Sequence, residues 1–124
     1  MRYLLLIFDD PVALERMPDA ERARLGADYR AFTASIVQSG NFRAGDALEP
    51  ITTATTIRLR AGRRLVTDGP FAETGEQLVA YYLVEARDLD EALAIAQRVP
   101  SVRCGAVEVR PVLRAPSPAD TQSS

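Results

Sequence analysis

Hydrophobic residues fall along this chain in two different rhythms. Tyr3 to Phe8 (YLLLIF) is an unbroken apolar run closed by Asp9-Asp10-Pro11, the length and bounding expected of a strand buried on both faces. Pro18 then opens a helix, with Asp19 and Glu21 in its first turn. Leu25, Tyr29, Phe32 and Ile36 recur at helical spacing as one apolar stripe, and Gly40 marks the stop. Phe42 to Glu49 is less regular and ends at Pro50. Thr52 to Arg60 is rich in β-branched residues and reads as a strand, turned back by Ala61-Gly62 into a second strand over Arg64 to Thr67. Gln77 to Ala86 (QLVAYYLVEA) is another long apolar strand. Asp88 with Glu91 three residues on has the form of a capping box, opening a helix whose apolar face is Leu89, Ala92, Leu93 and Ala96. Val107, Val109 and Pro111 alternate with Glu108, Arg110 and Val112 in a last strand, where Pro111 suits an edge or an end.

The order β-α-β-β-(β)-β-α-β predicts an α+β, ferredoxin-like plait occupying residues 1–114, with a polar, Pro/Ser-rich tail, expected to be disordered, over 115–124. Two amphipathic helices cover only one face of such a sheet, yet YLLLIF and AYYLV are apolar on both. A second copy packed sheet against sheet is the expected cover, at about 25 cal/mol per Å² of apolar surface removed from water. The alternative is that the extra hairpin folds over the open face within one chain.

Composition narrows the chemistry. The chain of 124 residues carries a net charge of −2, which gives no general attraction to nucleic acid or to anionic membranes. It has no His, and all 15 basic residues are Arg. Ser-His-Asp and Cys-His nucleophiles, Schiff-base lysines and Walker A loops are excluded within one chain. One Cys and no His leave no soft-metal site, and no cofactor or metal is expected. The lone Cys104, read as a small buried residue, and the lack of a signal peptide or membrane-length run point to a cytoplasmic protein.

The stretch VTDGPFAET, Val66 to Thr74, raises the main functional question. It reads either as a rigid connector, with Asp68 and Thr67 as turn acceptors and Phe71 plugging the core, or as the rim of a site. In the second reading Asp68 is a candidate general base at the mouth of a cavity between paired sheets. Phe71 and one of Tyr81 and Tyr82 would back it, Glu73 would be a second acid, and Arg58 or Arg60 would hold an anionic group. The chemistry left to such a set is proton abstraction, as in a lyase or isomerase. Asp9 and Asp10 read as solvated strand-capping residues rather than as a carboxylate pair, no motif supports a hard cation such as Mg²⁺ on them, and Tyr81 and Tyr82 must point to opposite faces.

The run from Ala54 through DGPF and YYLVEA to Pro100, followed by GAVEVRPV, resembles the DGPF-type branch of the YCII-related family, and MRYLLLIFDD resembles that family's first strand. The resemblance spans Met1 to about Leu113. It implies a homodimer, assembled as a dimeric α+β barrel. It also implies a small-molecule ligand, because related proteins include enzymes acting on small cyclic or aromatic metabolites with a proposed His-Asp pair. Genes of the DGPF type also neighbour those of extracytoplasmic-function sigma factors, so a regulatory module with a sigma-factor partner is the alternative. Two departures stand out: Gly75 replaces a common Lys, and the His of the pair has no counterpart.

Overall fold

The computed structural model describes residues 1–72 and 75–113. Its core is a four-stranded antiparallel sheet built from β1 (Arg2–Asp9), β2 (Phe42–Ala47), β5 (Gln77–Glu85) and β6 (Ala106–Pro111), in the order β2-β5-β1-β6. That is the plait the sequence pattern predicts. The two most apolar strands lie in the middle, and Pro111 ends an edge strand. Helices α2 (Asp19–Gln38) and α3 (Leu89–Ala96) follow β1 and β5. A short helix not expected from the pattern, α1 (Pro11–Glu15), fills the gap after β1; Asp10 caps it by accepting the Val12 N–H at 2.9 Å.

Alternation along the strands sorts the residues into two faces. Tyr3, Leu5, Ile7 and Asp9 of β1 are buried, and so are Ala80, Tyr82 and Val84 of β5. Phe32 and Ile36 of α2, with Ala92, Ile95 and Ala96 of α3, complete this core. The buried side of α3 thus runs through Ile95. The expected Leu89 and Leu93 are exposed, because the helix is phased to seat Ala92, Ile95 and Val99 one above another. On the opposite face Leu4, Leu6 and Phe8 pair with Leu83, Tyr81 and Leu78, all half-buried.

Strands β3 (Thr55–Arg60) and β4 (Arg63–Asp68) form a separate two-stranded sheet. Ala61 (φ 52°) and Gly62 (φ 76°) supply the two positive φ angles that a tight hairpin turn requires. The hairpin begins later than the pattern suggests, since Ile51–Thr53 forms a 3₁₀ turn. All of β4 is exposed.

Candidate functional site

The pocket with the most chemistry lies under α2, on the helix-covered face of the sheet. Period-two alternation carries the inward set of β1 one residue past its apolar run, so Asp9 points the same way as Ile7 and is only 4% exposed. Its Oδ1 accepts the Asp10 backbone N–H at 3.0 Å. Leu25, Tyr29 and Thr33 follow at intervals of one helical turn on α2 and face this strand end. Tyr29 donates its hydroxyl to Ser101 Oγ at 2.6 Å, and Thr33 Oγ1 shares a 2.7 Å hydrogen bond with the Tyr82 hydroxyl. Between them is a cavity of about 260 Å³ with Leu14, Leu25, Phe42 and Val79 as apolar walls. Burial pushes the Tyr29 phenol above its ordinary value, partly countered by the Ser101 hydrogen bond and reinforced by the neighbouring Tyr82 and Asp9. Tyr29 is therefore a neutral hydrogen-bond donor at physiological pH.

Tyr82 is held in place by its surroundings. Its ring meets Phe32 edge-on at 5.2 Å and Phe42 at 6.4 Å. Gly45 of β2 lies directly opposite, and a Cβ there would come within 2.6 Å of Tyr82 Cδ1. Tyr81 points to the other face, as its neighbour's burial requires, and donates to Asp46 Oδ2 at 2.6 Å. That hydrogen bond, with the Asp46 charge, raises the Tyr81 phenol above its usual range.

The DGPF segment is elsewhere. Gly69 donates its N–H to the Ala54 carbonyl at 2.8 Å and accepts from the Thr56 hydroxyl at 2.8 Å, closing the root of the hairpin with φ 106°. Asp68 ends β4 and is exposed. Phe71 does not plug the core; it is 73% exposed, with the Arg58 guanidinium 4.8 Å over its ring. Arg60 is exposed beside the turn, opposite Arg63, and Glu73 lies outside the described residues. Pro70 and Phe71 border a wide, open groove of about 730 Å³ together with Phe8, Ile51 and Leu78. Among the described residues expected to line one cavity, Tyr82 alone enters the pocket under α2, while Phe71 borders the groove with Arg58 over its ring. Cys104, expected to be buried, is exposed just beyond a 3₁₀ turn.

A family model for the YCII-related domain matches residues 1–116. The chain belongs to the YCII-related family. A Rhizobium meliloti (strain 1021) protein, itself uncharacterized, is 37% identical over 114 residues, covering 90% of this chain and 92% of that one. Among solved structures, the 5-chloro-2-hydroxyhydroquinone dehydrochlorinase TftG from Burkholderia phenoliruptrix, in complex with 2,5-dihydroxybenzoquinone, is similar in fold with a TM-score of 0.55 at 16% identity. That alignment covers 93% of this chain and 96% of TftG. No helix among the described residues is long and apolar enough to cross a membrane.

In this YCII-related chain motif reading does not single out Tyr29, Thr33 or Ser101 as pocket residues, and it takes Asp9 for a strand cap. Asp9 was detectable only by continuing the alternation of β1 one step beyond its apolar run, where Asp-Asp-Pro otherwise reads as a strand stop. Together with Tyr82 these groups offer a carboxylate acceptor, two phenols and two aliphatic hydroxyls around a mostly apolar space. This set can orient a small polar ring and move a proton on it without metal or cofactor.

Proposed function

We propose that this YCII-related chain binds a small organic molecule of single-ring size, bearing hydroxyl or enolisable carbonyl oxygens, in the pocket under α2. Asp9 acts there as proton acceptor and Tyr29 as donor, in a cofactor-independent lyase or isomerase reaction. The observation that carries the reading is a carboxylate almost fully removed from solvent that nonetheless lines a cavity. A cavity of about 150 Å³ accommodates benzene, so about 260 Å³ admits one substituted ring. TftG is solved with 2,5-dihydroxybenzoquinone, a ligand of that size class. The base role goes to Asp9 rather than Asp68 because Asp9 is buried and lines the pocket under α2 whereas Asp68 is exposed on the hairpin.

The working unit in this reading is a homodimer. Among the described residues no helix lies over the face formed by Leu4, Leu6, Phe8, Leu78 and Leu83, and a second copy packed sheet to sheet removes it from water.

The test is a panel of hydroxylated and keto monocyclic compounds screened by thermal shift and by NMR, followed by turnover assays on the hits. Asp9→Asn keeps the shape and removes the acceptor, so turnover falls by about 10²–10⁴-fold while the circular dichroism spectrum is unchanged. Turnover equal to wild type in a folded Asp9→Asn protein, or ligand-induced shifts confined to the hairpin around Asp68, refutes the assignment.

A further inference from the structure

The hairpin β3–β4 is an arm with an unsatisfied side. Its register places Ile57 opposite Val66 and Leu59 opposite Arg64 on one face. Ile57, Leu59 and Val66 are 58%, 67% and 52% exposed, and the arm forms no ladder with the four-stranded sheet. A lone two-stranded sheet with no covered face is marginal in water. The hydrogen bonds at Gly69, to Ala54 and from Thr56, close the arm at its root. The root itself supplies Ala54, Pro70 and Phe71 to the 730 Å³ groove, so the arm does not fill the groove it helps to form.

We propose that each arm lies in the groove of a second copy, so that the two chains exchange arms about a two-fold axis. This rests on the homodimer reading above and adds to it the segment that locks the pair. Three observations favour a second copy as the occupant. The first is charge. Thr55 to Asp68 contains four Arg and one Asp, +3, so with −2 for the whole chain the remainder carries −5. Arg60 faces Arg63 directly across the tip, an unfavourable like-charge pair in isolation. The rim of the groove carries Glu49 and Glu76, which suit those guanidinium groups. The second is shape: the groove offers Phe8, Leu48, Ile51 and Leu78 to the stripe of Ile57, Leu59 and Val66. The third is continuity, because Phe8 and Leu78 belong both to the groove and to the open sheet face. Six residues per strand span about 20 Å, enough to cross the roughly 10 Å between stacked sheets.

The experiment uses the full chain with Cys104→Ser. One preparation carries Ala61→Cys at the arm tip and another carries Ile51→Cys in the groove; they are mixed, oxidised and resolved by non-reducing electrophoresis and mass spectrometry. The expected product is the mixed disulfide dimer. In parallel, sedimentation of Arg60→Glu/Arg63→Glu is expected to show dimer affinity reduced by roughly tenfold or more, with recovery when Glu49→Arg is added. If sedimentation shows a dimer but the mixed disulfide is missing and charge reversal changes nothing, the arm exchange is overturned while sheet pairing stands. A monomer at every concentration overturns both. A third preparation carries both cysteines on one chain; a thiol link found there only within the monomer shows the arm folding onto its own chain and likewise refutes the exchange.

Discussion

Gly45 is where the fold and the pocket constrain each other most directly, and Gly45→Ala tests that link. The added methyl would sit 2.6 Å from Tyr82 Cδ1, 3.0 Å from Cε1 and 3.2 Å from the Tyr81 carbonyl oxygen. The first two distances are well inside contact, so the ring must move. It cannot move freely, because its hydroxyl is bonded to Thr33 and its edge packs on Phe32. Overpacking of this kind costs about 2 kcal/mol. For 124 residues that corresponds to a melting temperature lower by about 6–10 °C. The assay is a double-mutant cycle with Tyr82→Leu by chemical denaturation. Removing the ring leaves only the 3.2 Å approach to a carbonyl, so Gly45→Ala in the Tyr82→Leu background is expected to cost no more than about 0.5 kcal/mol. The coupling is then about 1.5 kcal/mol. An equal cost in both backgrounds would mean that the backbone, not the Tyr82 ring, requires glycine here, and would refute the packing argument. No cost in either background would refute it as well. Because Tyr82 lines the cavity, the single variant is also expected to weaken the thermal shift produced by pocket ligands.

Two further outcomes follow from the same packing. Gly105→Ala places a Cβ 2.2 Å from the Phe8 carbonyl oxygen, a backbone atom that cannot turn aside; the expected loss exceeds about 3 kcal/mol, read as a collapse of the urea midpoint or of soluble yield. Tyr29 is a half-buried neutral phenol with its ionisation raised above the ordinary value of about 10. Its contribution to stability is present below that pH and is lost as pH rises, because the unfolded chain ionises first. Tyr29→Phe is expected to cost about 1 kcal/mol at neutral pH through the lost Ser101 bond. The gap to wild type should then narrow in denaturation curves above pH 10.

Much of the fold was legible because its signals are local. The run at Tyr3 to Phe8, the Leu25-Tyr29-Phe32-Ile36 stripe and the Asp88–Glu91 box each declare an element on their own; Asp88 Oδ1 accepts the Glu91 N–H at 2.9 Å as the box predicts, while Glu91 Oε1 reaches one residue further back to the Arg87 N–H at 3.0 Å. Phe42–Ala47 is different. FRAGDA has no β-branched residue and contains a glycine, and it becomes the strand β2 through pairing with β5. The pocket was the least legible part for a related reason. Asp9, Tyr29, Tyr82 and Ser101 are far apart in sequence and no short motif joins them; only the plait brings them together. The DGPF segment drew attention by its local oddity, and that oddity is accounted for by closing a hairpin root.

The period of two has a consequence beyond packing. Tyr81 and Tyr82 are neighbours, yet one bonds Asp46 on the open face and the other bonds Thr33 inside the pocket. Leu4, Leu6 and Phe8 likewise face away from Leu5, Ile7 and Asp9. In the proposed reading, residues for association and residues for chemistry are therefore interleaved on the same strands without competing for space. The same geometry selects the acceptor. Two carboxylates line the pocket, but Asp46 is held by the Tyr81 hydroxyl on the open face. Asp9 is the buried carboxylate that shares the pocket with a neutral phenol. In the proposed reading, that pairing of Asp9 with Tyr29 takes up and returns the proton in a chain without a single histidine.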